Sequence, residues 1–222
     1  MREQFYAAAA HELRTPLAVI SASIEVVLSR PRTSDEYQET LTDLGGQFQR
    51  LTRLTEDLLT LNRLNLTEQG VEESEEVDLA DICQRVLELQ TPRIAEQKLT
   101  ISPSFAEAVE IRAPLSHAFA VVRNVIENAV RYTPAGGQIS VSLTQVANSV
   151  KLVVCNDFHP DSTINCQRWF EPFYREDASR SSATGGNGLG LTISRRIAEV
   201  NGWPFTLTYT DNTVRAELLF TA

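Results

Sequence analysis

Cysteine, histidine, methionine and long apolar runs are all scarce in this sequence. Its three cysteines, Cys83, Cys155 and Cys166, are an odd number with no paired metal spacing. That argues against a closed disulfide framework and against a cysteine-ligated metal. Their apolar settings, such as Val153-Val154-Cys155, read as reduced core thiols of a cytosolic protein. No apolar run reaches the ~18–20 residues that a membrane helix needs. The polar start and the short Ala7–Ala10 run do not make a signal peptide. Basic residues are also outnumbered, 20 Lys and Arg against 29 Asp and Glu, for a net charge of −9. Duplex nucleic acid requires clustered Lys and Arg, so no nucleic-acid partner is expected. The same charge weighs against direct binding to an anionic membrane.

What remains is globular in texture, with 42% hydrophobic and 22% charged residues. A length of 222 residues suits one large or two modest domains. Residues 1–29 read as one helix, its apolar stripe formed by Leu13, Leu17, Ile20, Ile24, Val27 and Leu28. Arg30–Asp35 is a turn, with Ser34 or Asp35 as the expected cap of a second helix over Glu36–Leu64. In that helix Leu41, Leu44, Phe48, Leu51, Thr55 and Leu58 form a heptad seam interrupted only by Gly45-Gly46. A hairpin this thin cannot bury both stripes alone, so a dimeric four-helix bundle is the expected solution.

The acidic stretch 67–76 reads as a linker. It separates a helical domain, 1–66, from a second domain, 77–222. There a helix to about Glu96 precedes strands expected at Leu99–Ser102, Val109–Arg112, Ile139–Leu143, Val150–Cys155, Phe205–Tyr209 and Val214–Phe220. Helices are expected at Leu115–Tyr132 and Leu191–Asn201, the latter closed by Gly202. The pattern is that of an α+β sandwich.

Of three histidines, His11 stands in the middle of the first helix, with Glu12 beside it and Thr15 one turn on. A neutral imidazole keeps a free nitrogen lone pair at pH 7 and can attack a γ-phosphoryl group. Glu12 is placed to accept the other ring N–H and set the tautomer. Pro16 cannot donate to the carbonyl of Glu12, so a bend is expected there. His117 reads as a residue near a helix start, and His159 as a loop residue with no partner at metal spacing.

The run Ala10-His11-Glu12-Leu13-Arg14-Thr15-Pro16-Leu17 resembles the acceptor box of the sensor histidine kinases of two-component signalling. The resemblance implies a phosphoacceptor role for His11 and a water-aligning, dephosphorylating role for Thr15. It implies a homodimer, a response-regulator receiver domain as partner, and a second domain of the histidine kinase/gyrase ATP-binding type. Family members carry sensing and membrane segments upstream, so the chain reads as the cytoplasmic part of a membrane-bound receptor.

Asn124, Glu127, Asn128 and Arg131 sit at i, i+3, i+4 and i+7 and share one polar helix face; Val122, Ile126, Ala129 and Val130 tend to the other. Asn128 offers a carbonyl oxygen to Mg²⁺, Arg131 a guanidinium to phosphate, and Tyr132 a ring to cover the nucleobase. The segment resembles the family's asparagine box. Gly186, Gly188 and Gly190, around Asn187 and Leu189, precede a helix start, where backbone N–H groups meet phosphates. This run resembles the second glycine box. Phe170–Arg175 resembles the phenylalanine box, with Phe170 and Phe173 as packing residues and Arg175 as a phosphate contact. Glu176–Gly185 reads as a lid over the nucleotide.

One box departs from the pattern. The first glycine box, Asp-x-Gly-x-Gly in the family, is Asn156-Asp157-Phe158-His159-Pro160 here. In the strand register Asn156 takes the place of the adenine-binding Asp, as an uncharged and weaker acceptor. Asp157 falls on the opposite strand face. Phe158 and Pro160 reshape a loop that glycine would leave flexible. The expected function is ATP-dependent autophosphorylation on His11 and transfer to a regulator aspartate. The alternative is a nucleotide-impaired dimeric phosphatase or docking scaffold. An ATP hydrolase of the gyrase class would have Glu, four residues before the metal Asn, where Asn124 stands.

Overall fold

The computed structural model describes residues 2–66, 73–107, 109–160, 164–175 and 186–221. Two long helices come first, α1 (Arg2–Leu28) and α2 (Ser34–Leu66), packed as a hairpin. Helix α1 continues through Pro16, which is buried. The cap of α2 is Thr33 rather than Ser34 or Asp35. The Thr33 hydroxyl accepts from the Glu36 amide at 3.3 Å, and Glu36 Oε2 accepts from the Thr33 amide at 2.8 Å. The reciprocal pair is a capping box, and it prefers the residue three before a Glu. The Thr33 backbone hydrogen bond is the main cause holding the Glu36 carboxyl below its ordinary pKa.

The second domain begins with β1 (Glu75–Asp78), whose first two residues fall in the stretch 67–76 expected to be linker. It pairs antiparallel with β3 (Glu110–Ala113) in a small separate sheet. Helix α3 (Leu79–Gln97) follows, capped by Asp78, whose carboxylate accepts from the Ala80 and Asp81 amides. Strand β2 (Thr100–Phe105), helix α4 (Leu115–Tyr132), and strands β4 (Gln138–Val146) and β5 (Ser149–Asp157) come next. A short 3-10 turn spans Cys166–Phe170. Helix α5 (Gly190–Asn201), ended by left-handed Gly202, leads to the hairpin of β6 (Phe205–Thr210) and β7 (Thr213–Phe220). The five-stranded sheet has the order β2-β4-β5-β7-β6, antiparallel except for β2 on β4.

Alternation along the strands sends one sheet face into the core. Ile139, Val141 and Leu143 of β4 and Val150, Leu152 and Val154 of β5 are buried there. Helix α4 lies against it through Val121, Val122, Val125, Ile126, Ala129 and Val130. Helices α3 and α5 pack on either side of α4. Cys83 is buried, as expected, and burial pushes its thiol pKa up to about 12. Cys155 and Cys166 are only partly buried. For Cys155 the cause is strand alternation, which turns it to the outer face near Arg215. Among the described residues, no helix is long and apolar enough to cross a membrane.

The hairpin and the sandwich share a core. Leu54, Leu61 and Leu64 of α2 are 3%, 5% and 4% exposed and join the second domain's apolar cluster. Burial of this kind contributes roughly 1.5–3 kcal/mol per side chain. The end of α2 is also met by Arg196, whose Nη2 donates to the Leu64 carbonyl. Higher on the hairpin the apolar seam stays uncovered: Leu17, Leu28, Leu41 and Phe48 are 48%, 73%, 68% and 53% exposed.

Candidate functional site

A cleft opens between α4, the turn preceding α5, and α2. The polar face of α4 supplies Asn124, Glu127, Asn128 and Arg131, because their opposite neighbours are claimed by the core. Asn124 Nδ2 donates to the Gly190 carbonyl at 3.0 Å and to Ser194 Oγ at 3.2 Å. It therefore ties α4 to the first turn of α5. The Asn128 amide lines the cleft and makes no hydrogen bond among the described residues. Arg131 lies deep in the wall, its Nε buried without a partner, and burial pulls its pKa down from the ordinary arginine value.

The loop Gly186–Leu189 is shaped by close approach. A Cβ on Gly186 would collide with the Arg131 Nη1 atom. Arg175 Nη1 donates to the Gly186 carbonyl at 2.7 Å, so this arginine braces the loop as well as facing the cleft. Gly188 has φ +72°, and a Cβ there would come 2.8 Å from the Phe173 backbone. Gly190 also lines the cleft. Leu189 does not: it is fully buried, and only its backbone serves the loop, donating to Asn187 Oδ1 at 3.1 Å. Its side chain anchors the loop, because the helix start turns it into the core.

The far wall is aromatic. Phe158 packs edge-on against Tyr132, Trp169 and Tyr209, at centroid distances of 6.5, 5.8 and 6.2 Å. Tyr132, Phe158, Trp169 and Tyr174 all line the cleft. Asn156, 6% exposed, lies beside them. Its Nδ2 donates to the Asp157 carbonyl at 3.0 Å, which leaves Oδ1 as its acceptor. Asp157 has a separate job, with Oδ2 accepting from the Gln138 amide at 2.8 Å at the start of β4.

The residues expected to form the acceptor box are elsewhere. His11 is exposed on α1 and does not line the cleft. Thr15 Oγ1 donates to the His11 carbonyl at 3.1 Å. Glu12 is half-buried and, among the described residues, makes no hydrogen bond to the His11 ring. Adjacent helical residues diverge by about 100° around the axis, so the expected Glu12–imidazole contact is not formed. His117 joins the start of α4 to the end of α5 through Asn201 Nδ2, 3.0 Å away. The stretch 176–185, expected to be a lid, lies outside the described residues.

Several cleft residues escaped the sequence reading. Arg50, Arg53, Glu56 and Asp57 come from α2, and Asn187 from the glycine loop. Asn187 Nδ2 donates to Asp57 Oδ2 at 2.6 Å. The spacing of Arg50, Arg53 and Asp57, i, i+3 and i+7, was the available signal. Phe158 disrupts a glycine pattern in the sequence, and only the fold makes it the centre of a ring cluster.

Residues 1–67 match the His Kinase A (phospho-acceptor) domain family, and residues 115–220 match the histidine kinase-, DNA gyrase B-, and HSP90-like ATPase family. The sensor protein IrlS of Burkholderia pseudomallei is 33% identical over 199 residues, covering 90% of this chain and 42% of IrlS. The chain thus spans less than half the length of that relative. The Acinetobacter baumannii histidine kinase AdeS is similar in structure, with TM-score 0.76, 20% identity, and 95% and 97% of the two chains covered. Histidine kinase ThkA, in a complex with response regulator protein TrrA, aligns with TM-score 0.75 and 20% identity over 98% of this chain and 60% of that one. A phosphoacceptor hairpin and a gyrase-like ATPase sandwich follow each other in one polypeptide, and the chain belongs to the sensor histidine kinases of two-component signalling.

Proposed function

We propose that the chain phosphorylates itself on His11 with Mg²⁺-ATP and passes the phosphoryl group to an aspartate of a response-regulator receiver domain. The observation that carries this reading is the exposed imidazole of His11, on a hairpin joined to a cleft of the ATPase family. The cleft chemistry fits a nucleoside triphosphate. Arg123 and Arg131 keep buried Nε atoms without partners, and Gly186, having no Cβ, lets the Arg131 guanidinium lie directly against the glycine loop. Arg131, Arg175 and the loop amides after Gly186 would hold the phosphates, and Asn156 Oδ1 the adenine amino group. Asn128 would ligate Mg²⁺, which when bound neutralises charge on the phosphates.

Transfer needs His11 in line with the γ-phosphorus. A ring-nitrogen lone pair forms the N–P bond as the bond to the β–γ bridging oxygen breaks, and ADP leaves. Because His11 lies outside the cleft, the sandwich must swing against the hairpin before reaction. Thr15 would serve the reverse duty, aligning water to dephosphorylate the regulator. The regulator would dock on the hairpin near His11; the ThkA–TrrA complex pairs two proteins named for these roles. The uncovered seam of α1 and α2 supports a homodimer that closes a four-helix bundle. Membrane attachment would come from upstream segments.

Incubation with γ-labelled ATP and Mg²⁺ tests the reading. Acid-labile, base-stable label on the chain is expected, and its loss in His11→Gln. No label under varied conditions rejects the kinase reading in favour of a phosphatase or docking scaffold. Label that survives His11→Gln rejects the acceptor.

A further inference from the structure

Arg50, Arg53 and Asp57 share one face of α2, and all three line the cleft that the second domain otherwise builds. The same side of the helix carries Leu54, Leu61 and Leu64 into the joint core. That packing and the Asn187–Asp57 hydrogen bond of 2.6 Å hold the face over the glycine loop. Arg50 is half-buried but makes no hydrogen bond or ion pair among the described residues. A partly desolvated guanidinium without a counter-anion is unfavourable. Of the three carboxylates that line the cleft, Asp57 bonds Asn187 and Glu127 bonds Gln90, while Glu56 is exposed to solvent and forms no ion pair with Arg50 among the described residues. Across the cleft, Arg123 and Arg131 have buried Nε atoms that also lack partners. Five arginines against three carboxylates line this cleft, in a chain whose net charge is −9. The local charge excess calls for a polyanion between the domains.

We propose that Arg50, with Arg53 beside it, is a phosphate-binding residue of the nucleotide site, contributed by the phosphoacceptor hairpin. The triphosphate is then held between the two domains, not by the sandwich alone. The inference rests on the nucleotide reading above and adds to it a contact from the first domain. It has a thermodynamic consequence: a ligand bonded to both domains strengthens their docking, and docking strengthens the ligand by the same factor.

The full chain provides its own probe, because Trp169 lines the cleft while the only other tryptophan, Trp203, is 4% exposed in the core. Tryptophan fluorescence is followed on titration with Mg²⁺-ATP and, separately, with adenosine. Arg50→Ala is expected to weaken Mg²⁺-ATP on the order of tenfold, the loss of one charge-assisted contact, with adenosine unchanged. Arg50→Lys should recover part of the loss, and Arg50→Ala with Arg53→Ala should lose more. Unchanged Mg²⁺-ATP affinity in both variants overturns the proposal. Equal weakening of ATP and adenosine also overturns it, since that marks a disturbed cleft and not a lost phosphate contact. If the unsubstituted chain shows no saturable Mg²⁺-ATP binding, the nucleotide reading itself fails, a result distinct from either.

Discussion

The side-chain amide of Asn187 donates to the carboxylate of Asp57 over 2.6 Å, and the two residues are on opposite sides of the boundary between hairpin and sandwich. The bond ties the loop that would cradle phosphate to the helix that follows the acceptor helix. It makes domain arrangement and nucleotide site a single mechanical problem. Phe5 of α1 adds a second contact, with its ring centroid 5.6 Å from that of Phe173.

Docking at Asp57 should depend on pH. Desolvation by burial is the main cause raising its carboxyl pKa, against the opposing pull of the Asn187 amide and Arg123. The docked state therefore holds the proton more tightly than the undocked one. Docking is strongest below the free carboxyl's pKa of about 3.9 and weakens as pH rises through the docked value. A fluorescence-transfer pair on α2 and α5 should report growing separation as pH rises from about 4 toward neutrality. Asp57→Asn should flatten that part of the profile.

The Gly188→Ala protein should be less stable by at least ~1 kcal/mol, from its left-handed backbone alone. The Cβ contact at 2.8 Å to the Phe173 backbone adds to this, since backbone cannot swing aside. A fall of several degrees in Tm would agree with this, whereas an unchanged Tm would mean that the loop is not built this tightly.

Asn156→Asp should separate affinity from stability. A carboxylate accepts from an amino group about twice as strongly as an amide does, so Mg²⁺-ATP should bind several-fold tighter. The same change removes the Nδ2 donor that now satisfies the Asp157 carbonyl, so the apo Tm should fall. Calorimetric titration and thermal melting of one preparation give both values. No gain in affinity would show that Asn156 does not read the base.

Thr15→Ala should leave His11 labelling near the unsubstituted rate while slowing regulator dephosphorylation about tenfold or more, the scale of one lost water-positioning contact. The hydroxyl now bonds the His11 carbonyl at 3.1 Å, a turn it can release without breaking the helix ladder. Equal dephosphorylation rates would remove Thr15 from that role.

Much of the cleft was legible because it follows a local period. On α4 the 3.6-residue repeat put Asn124, Asn128 and Arg131 opposite Val122, Ile126 and Val130, and the structure keeps that division. Asn156 and Asp157 divided as the two-residue strand period requires. The misreadings were of residues whose fate depends on something distant. Leu189 sits in a glycine-rich run but is claimed by the core. Glu75 and Glu76 look like acidic linker until Ala113 and Arg112 of β3 pair with them. Cys155 has apolar neighbours along the chain, but its face of the sheet is the outer one.

Sequence alone determined the helical hairpin, the succession of helices and strands in the sandwich, and the residues that α4 and the glycine loop bring to the cleft. All of these are set by periodicity and by short motifs whose residues are close along the chain. Only the tertiary structure decided that α2 forms a wall of that cleft, that Asp57 meets Asn187 some 130 residues away, and that His11 lies outside. The reason is physical: a helix face has no intrinsic partner, and the apolar packing of Leu54, Leu61 and Leu64 selects which charges are carried into contact.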